Sequence, residues 1–235
     1  MSTFVPSQII CRCGHRYDVQ VANGLHISLR PDPRHQIFEG TFHRFFCPTC
    51  GMTTMVDATL SFTDFPRRQW FTVAPSYGLP WRRQWLEIAR KSFQATMVDS
   101  APELVAGWGR EMTRRLIFGL ASLREKLVIG DAGLDDRVVE LLKIQLVRDL
   151  RGTLSPEVYF HVTAVAADEL TFERTHPDGV IRAFAIPRQH YAALAEAPEL
   201  SSWVDLAFPD GLLIDHRAIL VPEADAAAAP PHAVP

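Results

Sequence analysis

The sequence predicts an α+β fold with a small N-terminal β-sheet, a helical middle and a C-terminal antiparallel sheet that carries a short helix. Prolines at five positions interrupt any helical pattern between residues 8 and 75, where short runs of β-branched and aromatic residues favour strands. From residue 81 to 150 the apolar residues recur every three or four positions, which is the helical period. After residue 152 the strand pattern returns.

The first segment is predicted to form four short strands in a small antiparallel sheet. The turn between the last two strands contains Asp64 and Pro66, which are both common turn residues. Asn23 and Gly24 predict a further turn, because both tolerate a positive φ. Residues 30–40 are expected to form a surface loop. The predicted strands cover residues 16–21, 42–46, 53–62 and 69–74.

Three helices are predicted in the middle segment. The first covers residues 81–97. Ser100 and Glu103 have the spacing of a capping box, so a second helix is expected to begin near residue 101. Its apolar stripe continues over residues 105–127, which is about six helical turns. A third helix is expected after Gly133, with negative charge in its first turn.

The C-terminal segment is predicted to form a small α+β unit. Asp178 and Gly179 form a hairpin turn signal between two of its strands. Pro187 is expected to close the last of these strands and to precede a short helix at residues 188–196. The predicted strands cover residues 158–165, 170–173 and 180–186, with further strands at 212–214 and 218–221.

These patterns divide the 235 residues into four segments. Residues 1–78 form a β module, and residues 79–152 form a three-helix segment packed on it. Residues 153–221 form the small α+β unit. Residues 222–235 are rich in alanine and proline, and they are expected to form a disordered tail because they offer too little apolar surface to bury.

The charge of the chain is distributed unevenly. The net charge is −3, yet residues 1–97 hold 11 Lys and Arg against 6 Asp and Glu, and residues 153–235 hold 4 against 12. No apolar run approaches the roughly 20 residues that span a bilayer. The first ten residues lack the basic and apolar regions of a secretory signal. We therefore expect a cytoplasmic protein without a membrane partner.

Four cysteines in two close pairs predict one tetrahedral metal site. Cys47 and Cys50 enclose two residues and precede Gly51, which is the form of a zinc knuckle. Cys11 and Cys13 are separated by one intervening residue and therefore share a face of an extended chain. Four protein thiolates leave no coordination position for water. We expect one structural Zn²⁺ per chain, in a zinc-ribbon-like module at residues 1–78.

Three alternatives to this assignment remain open. Four thiolates also accept iron. His15 or His43 lies close enough in sequence to replace Cys11 or Cys13 as a ligand. The cysteine pairs could also form disulfides, although close pairs in a reducing compartment are more often metal ligands.

Several short segments resemble the bacterial CpXC family, which is named for two Cys-Pro-x-Cys repeats. The resemblance covers residues 8–150 and implies metal binding, without implying any catalytic residue. The first cysteine pair departs from the repeat, because it lacks the proline and is one residue short. The segments that carry the resemblance are EG at 39–40, FFCPTC at 45–50, LREK at 123–126, GLDDR at 133–137 and ELLK at 140–143.

Two clusters that interleave basic and aromatic residues are the candidate nucleic-acid-binding residues. Such surfaces hold phosphates while their aromatic rings stack on bases. The alternative is that the tryptophans are core residues with the arginines on the solvated side, and we favour this second interpretation. The candidates are Arg67, Arg68, Trp70, Arg82 and Arg83.

The sequence supports three hypotheses for function. It contains no nucleophile elbow, Gly-rich phosphate loop or HExxH motif, so no catalytic activity is evident. The first hypothesis is a zinc-stabilised binding or adaptor protein whose partner is another protein. The second is a nucleic-acid-binding zinc-ribbon protein. The third is an enzyme with a site between the helices and the C-terminal sheet, at groups such as Tyr159 and His161.

Overall fold

A computed structural model describes residues 2–29, 31–100, 103–149, 159–175 and 181–225. The chain has the predicted α+β architecture and divides into two compact units. Unit 1 comprises Met1–Leu120 with Ala224–Pro235, and unit 2 comprises Ala121–Glu223. The division into four segments stays a prediction.

Unit 1 is built on a five-stranded sheet with the order β1-β2-β5-β6-β7, beside a separate two-stranded ribbon of β3 and β4. The large sheet is mixed, because β2 pairs with β5 and β6 pairs with β7 in parallel. All six residues of β6 are buried, as expected for a strand that is covered on both faces. The strands are β1 (Thr3–Ile10), β2 (Arg16–His26), β3 (Arg44–Phe46), β4 (Thr53–Met55), β5 (Leu60–Asp64), β6 (Gln69–Ala74) and β7 (Thr113–Phe118).

The helices of unit 1 confirm the first predicted helix. They are α1 (Asp32–Glu39), a 3₁₀ helix (Ser76–Trp81), α2 (Arg82–Gln94), a π turn (Ala95–Asp99) and α3 (Glu103–Arg110). The apolar face of α2 buries Trp85, Leu86, Ala89 and Phe93. Phe93 packs in a small cluster with Trp70, and this burial holds the helix against the sheet.

The predicted long second helix is wrong. The stripe that predicted it is divided among α3, β7 and α4 (Leu120–Asp131). Leu116, Ile117 and Phe118 are consecutive and all buried, which is the pattern of a strand inside a sheet. Gly119 then adopts a φ of +86°, which no helix interior allows. Trp108, at 47% exposure, also lies outside the buried stripe.

Three predictions at the N-terminus are also wrong. Gly24 lies inside β2 rather than in a turn, and a Cβ there would lie 2.6 Å from Oγ1 of Thr3, so close strand packing explains this glycine. The sheet is mixed rather than antiparallel, and its first strand, β1, was not predicted. The expected loop at residues 30–40 contains α1, which has a proline in its first turn and ends at Gly40 with a φ of +68°.

Unit 2 packs helices against a three-stranded antiparallel sheet with the order β10-β9-β8. The third predicted helix, the three strands and the short helix that follows them are confirmed. The buried core joins residues of α4, α5, all three strands and α6. The elements after α4 are α5 (Asp136–Asp149), β8 (Phe160–Val165), β9 (Glu169–Thr175), β10 (Ile181–Pro187), α6 (Arg188–Ala195), α7 (Leu200–Ala207) and α8 (Arg217–Leu220).

The strands predicted at residues 212–214 and 218–221 are wrong. Residues 212–214 have no regular structure, and the Ile214 carbonyl accepts a hydrogen bond from Nζ of Lys126 at 2.7 Å instead of joining a strand ladder. Residues 217–220 form the short helix α8. The turn predicted at Asp178 and Gly179 lies outside the described residues.

Two further expectations concern the tail and membranes. Residues 226–235 of the predicted tail lie outside the described residues, whereas the backbone N–H of Ala224 donates to the carbonyl of Pro80 at 2.8 Å. Within the part of the chain that the structure describes, every helix is too short or too polar to cross a bilayer.

Candidate metal centre

The sulfur atoms of the four cysteines lie together in unit 1. Cys11 Sγ lies 3.6 Å from Cys50 Sγ, and Cys13 Sγ lies 3.7 Å from Cys47 Sγ. All four sulfurs lie within 4.8 Å of one another. A tetrahedral zinc ion with Zn–S bonds of about 2.3 Å requires sulfur–sulfur distances of about 3.8 Å. The cluster therefore has the dimensions of a four-thiolate metal site, whereas a disulfide requires about 2.05 Å.

The first cysteine pair sits in the tight turn between β1 and β2. The backbone N–H of Cys11 donates to the carbonyl of His15 at 2.9 Å, and that of Gly14 donates to the carbonyl of Cys11 at 2.8 Å. Gly14 adopts a φ of +87°, which favours glycine. This turn explains how a pair with only one intervening residue brings both sulfurs to one place.

The second pair sits in the turn between β3 and β4. The backbone N–H of Cys47 donates to the carbonyl of Met52 at 2.9 Å, and that of Gly51 donates to the carbonyl of Cys47, also at 2.9 Å. Gly51 adopts a φ of +71°. The predicted knuckle thus has the local geometry that its glycine indicated.

His43 connects the two halves of the site without joining the sulfur cluster. Its Nε2 accepts a hydrogen bond from the backbone N–H of Ala22 in β2 at 3.1 Å, and its carbonyl accepts one from Val56 at 2.9 Å. Burial lowers the pKa of His43 to about 4, so the ring is neutral and can accept this bond. Among the described residues, the cluster of ligand atoms contains the four cysteines and neither His43 nor His15.

The thiols influence one another's ionisation. Burial raises the pKa of Cys47, but hydrogen bonds from the backbone N–H groups of Cys50 and Thr49 outweigh it and lower the pKa to about 6. The backbone N–H of Met52 lowers the pKa of Cys50, but the neighbouring thiols, first that of Cys13, raise it to about 12. One thiolate thus opposes ionisation of the next. A divalent cation would stabilise all four as thiolates.

Two cysteines are buried and two are exposed. Cys11 and Cys47 lie inside the unit, whereas Cys13 and Cys50 lie at its surface. The residues present therefore fit a metal ion held at the edge of the unit, with four sulfur ligands and no coordination position left for a substrate.

Comparison with known proteins agrees with the cysteine pattern. The family model described as CpXC protein matches residues 9–143, which include both cysteine pairs. The chain belongs to the CpXC family. No curated protein and no solved structure matches it. The CpXC match extends from β1 into α5, so the family region includes unit 1 and the first helices of unit 2.

The candidate nucleic-acid-binding residues of this CpXC protein occupy different environments. Trp70 is buried and packs edge-on against Phe93, so its ring is not offered to a base. Arg67 pairs with Asp64 at 3.2 Å, and Arg68 pairs with Glu111. Arg82 and Arg83 begin α2, where Arg83 is exposed. The burial of Trp70 agrees with the core interpretation of the tryptophan.

Unit 2 contains a buried network of charged residues that the sequence analysis did not predict. Lys143 Nζ lies 2.6 Å from Glu125 Oε1 and 2.8 Å from Glu140 Oε1. Lys126 Nζ lies 3.3 Å from Glu140 Oε1 and 3.1 Å from Asp136 Oδ2. The neighbouring lysines keep the pKa values of Glu125 and Glu140 below the usual range, despite the opposing effect of burial. The LREK and ELLK segments could have indicated this network, because they place charged residues in helices whose other residues are apolar and pack in the core.

The network also holds the chain beside α8. His216 donates from its backbone N–H to Glu140 Oε2 at 3.0 Å, and its Nδ1 lies 2.8 Å from the same oxygen. Asp215 and Arg217 form a bidentate pair with distances of 2.5 and 2.9 Å. Ligand atoms of Glu140, Asp215 and His216 lie within 4.8 Å of one another. Lysine and arginine already neutralise both carboxylates, so this group does not resemble a metal site.

The two residues named for an enzyme site also lie in unit 2. His161 Nδ1 lies 3.3 Å from Glu125 Oε2, and the ring of Tyr159 packs edge-on against that of His161 at 5.1 Å. Burial lowers the pKa of His161 and so favours the neutral ring. Glu125 also accepts a hydrogen bond from the backbone N–H of Val162 at 2.6 Å. The contacts of Glu125 fix β8 to the helices.

Proposed function

We propose that this CpXC protein is a zinc-stabilised protein-binding module, whose docking patch lies on the outer face of the β3–β4 ribbon. The observation that supports it is an exposed apolar surface beside the four thiols. Phe46 is 71% exposed, Met55 52% and Met52 41%. Large apolar side chains grouped at a surface are typical of interaction sites.

The strand register puts this surface on one side of the ribbon. Phe46 pairs with Thr53, and Arg44 pairs with Met55. Directly paired residues point to the same face, so these four side chains share one face and are all exposed. Phe45, between two of them, points to the opposite face and is partly buried. We call Arg44, Phe46 and Met55 the docking patch, and the exposed Met52 lies next to it in the turn that holds the cysteines.

A bound metal ion would stabilise the ribbon that carries this patch. Two strands of three residues do not form a stable ribbon alone. Cys47 and Cys50 lie in the turn of this ribbon, and a shared ion would join them to Cys11 and Cys13 at the end of the large sheet. We assign zinc because closed four-thiolate sites are typical of structural zinc.

The expected partner is a protein with an apolar contact surface bordered by carboxylates. Arg44 lies in the docking patch, and Arg12 and Arg16 lie beside the first cysteine pair. Basic residues around an apolar centre select acidic groups on the partner and accelerate association. The partner is therefore expected to contact the end of unit 1 that carries the four cysteines.

Site-specific photo-crosslinking in cells tests the proposal. Benzoylphenylalanine at position 46 should give one dominant protein adduct, and the same probe at Glu87, an exposed position on α2, should not. Adding Cys47→Ser should abolish the adduct at position 46. Equal adducts at both positions, or an adduct insensitive to Cys47→Ser, would show that the patch is not a metal-supported docking site. An adduct that contains nucleic acid would favour the second hypothesis instead.

A further inference from the structure

Unit 1 contains a cavity of about 650 Å³, and the described residues that line it include none of the four cysteines. It lies between one face of the β1–β2 hairpin, the segment that joins β4 to β5, and the exposed side of α2. Its volume lies within the usual range of small-molecule sites, roughly 300–1,000 Å³. The cavity is therefore large enough for a small organic ligand.

The walls of the cavity are largely apolar. Val5 of β1 and Val21 of β2 are directly paired and both line it, which shows that one face of the hairpin forms a wall. Ile88 of α2 forms part of the opposite side. Met55 and Tyr77 also line it, and both are exposed. Such walls would bury the hydrocarbon part of a ligand.

Asp57 is the one charged side chain among the described residues that line the cavity. Its Oδ2 accepts hydrogen bonds from the backbone N–H and the hydroxyl of Ser76, at 2.7 and 2.6 Å. No lysine or arginine of the described residues forms an ion pair with Asp57, and the nearby His43 ring is neutral at pH 7. Asp57 is thus hydrogen-bonded to Ser76 and has no positively charged partner among the described residues.

A second polar group in the lining, the hydroxyl of Thr59, offers an unused hydrogen-bond acceptor. Thr59 lies two residues after Asp57 in the segment between β4 and β5, and it lines the same cavity. Within the described part of the chain, its buried Oγ1 has no hydrogen-bond partner. A buried hydroxyl without a partner is unfavourable, and a ligand with N–H donors would satisfy it.

The lining excludes acidic ligands. Lysine, arginine and histidine are all absent from the described residues that line the cavity. A phosphate or carboxylate ligand would therefore enter an apolar cavity without a cation and would be repelled by Asp57. Only a neutral or positively charged ligand is compatible with this lining.

We propose that the cavity binds a small amphipathic amine, with the ammonium group on Asp57 and the hydrocarbon part against Val5, Val21 and Ile88. The ammonium donates to Oδ1 of Asp57, since Oδ2 is occupied by Ser76, and Thr59 offers a further acceptor. Met55 belongs both to the docking patch and to the lining of this cavity, whereas Asp57 and Thr59 belong to the cavity alone. A small-molecule site goes beyond the proposed function.

Ligand-observed NMR on the metal-loaded full chain tests the site with three probes of equal length: hexylamine, 1-hexanol and hexanoate. Hexylamine should bind saturably and about tenfold more tightly than 1-hexanol, and hexanoate should not bind. Asp57→Asn should weaken hexylamine binding about tenfold and leave 1-hexanol unchanged. Glu87→Gln removes the same charge from the exposed surface of α2 and should change neither.

A filled cavity provides the second arm of the experiment. Ser92→Phe places a ring on the cavity side of α2 and should abolish binding of both hexylamine and 1-hexanol, with an unchanged melting temperature as the test of folding. Equal affinity for all three probes, unchanged hexylamine binding in Asp57→Asn, or no saturable binding by any probe would overturn the proposal.

Discussion

The four-cysteine cluster of unit 1 and the charged network of unit 2 perform similar structural tasks with opposite chemistry. Each joins segments that are distant in sequence: Cys11 to Cys50 in one, and Glu140 to His216 in the other. The cysteine cluster brings together groups that all become negative, so it needs an external cation. The charged network supplies its own cations as lysine and arginine. Unit 1 should therefore depend on metal, and unit 2 should not.

The largest expected effect is that of removing one metal ligand. Cys47→Ser should lower the melting temperature by about 10 °C, because a structural metal contributes directly to folding and about 1 kcal/mol corresponds to roughly 2–4 °C in a chain of this size. Thermal unfolding followed by circular dichroism measures it. Thr49→Ala, an exposed change in the same turn, is the control and should have little effect. Equal melting temperatures for Cys47→Ser and wild type would contradict a structural role.

A second prediction breaks the charged network instead. Glu140→Gln should destabilise the protein by about 3–5 kcal/mol, because it breaks the buried ion pairs of Glu140 with Lys126 and Lys143 and leaves each lysine with one carboxylate instead of two. Urea unfolding measures this loss, and Glu87→Gln on the surface should stay within about 0.5 kcal/mol of wild type. Hydrogen exchange should increase at residues 214–217 and not at the cysteine turns. If hydrogen exchange increased only at the cysteine turns, the charged network would not stabilise unit 2 independently of the cysteine cluster, contrary to this prediction.

A third prediction concerns pH. Glu140 has a folded pKa well below its ordinary value of 4.5, because of Lys143 and Lys126 and despite burial. Its contribution to stability is therefore complete above about pH 4.5 and is lost as the pH falls through the folded pKa. The difference in unfolding free energy between wild type and Glu140→Gln should be constant from pH 7 to 5 and shrink towards pH 3. A difference that grew with acidity would contradict the sign.

The smallest expected effect on stability is at the docking patch. Phe46→Ser should change the unfolding free energy by less than about 0.5 kcal/mol, because the side chain is exposed. Metal content should also stay the same. The protein adduct formed by benzoylphenylalanine at position 55, on the same face of the ribbon, should be lost when Phe46→Ser is added. Urea unfolding measures the stability, and crosslinking of the same preparation measures the loss of the partner adduct. A large loss of stability would show that Phe46 has a structural role instead.

The sequence predicted the clustering of the four cysteines more completely than the fold around them. Ligand identity and a nearby glycine are local signals, so the turn at Gly51 followed from a few adjacent residues. Cys11 and Cys13 were instead expected on an extended chain, and they lie in a turn with Gly14. The strand β7 was mistaken for a helix because Leu116 and its neighbours satisfy the helical spacing and a buried strand alike. Residues 113–118 form a strand because they pair in parallel with β6. This pairing joins residues that are far apart in sequence, so the spacing of apolar residues does not predict it.

The charged network illustrates the same limit. Glu125 and Lys143 are polar residues that usually face solvent, and their positions on two helices do not specify their contact. Burial of both depends on the packing of α4, α5 and β8. Gly24 gives a smaller example, because its turn-like sequence was overridden by close packing against Thr3.

Elemental analysis of the purified, untagged chain tests most directly whether the four thiols hold one zinc ion. Wild type should contain one zinc per chain, and Cys47→Ser and Cys11→Ser should each contain none. Thr49→Ala and Glu140→Gln should both retain the full content. Iron in place of zinc, no metal in the wild type, or full zinc content in either cysteine variant would contradict the account.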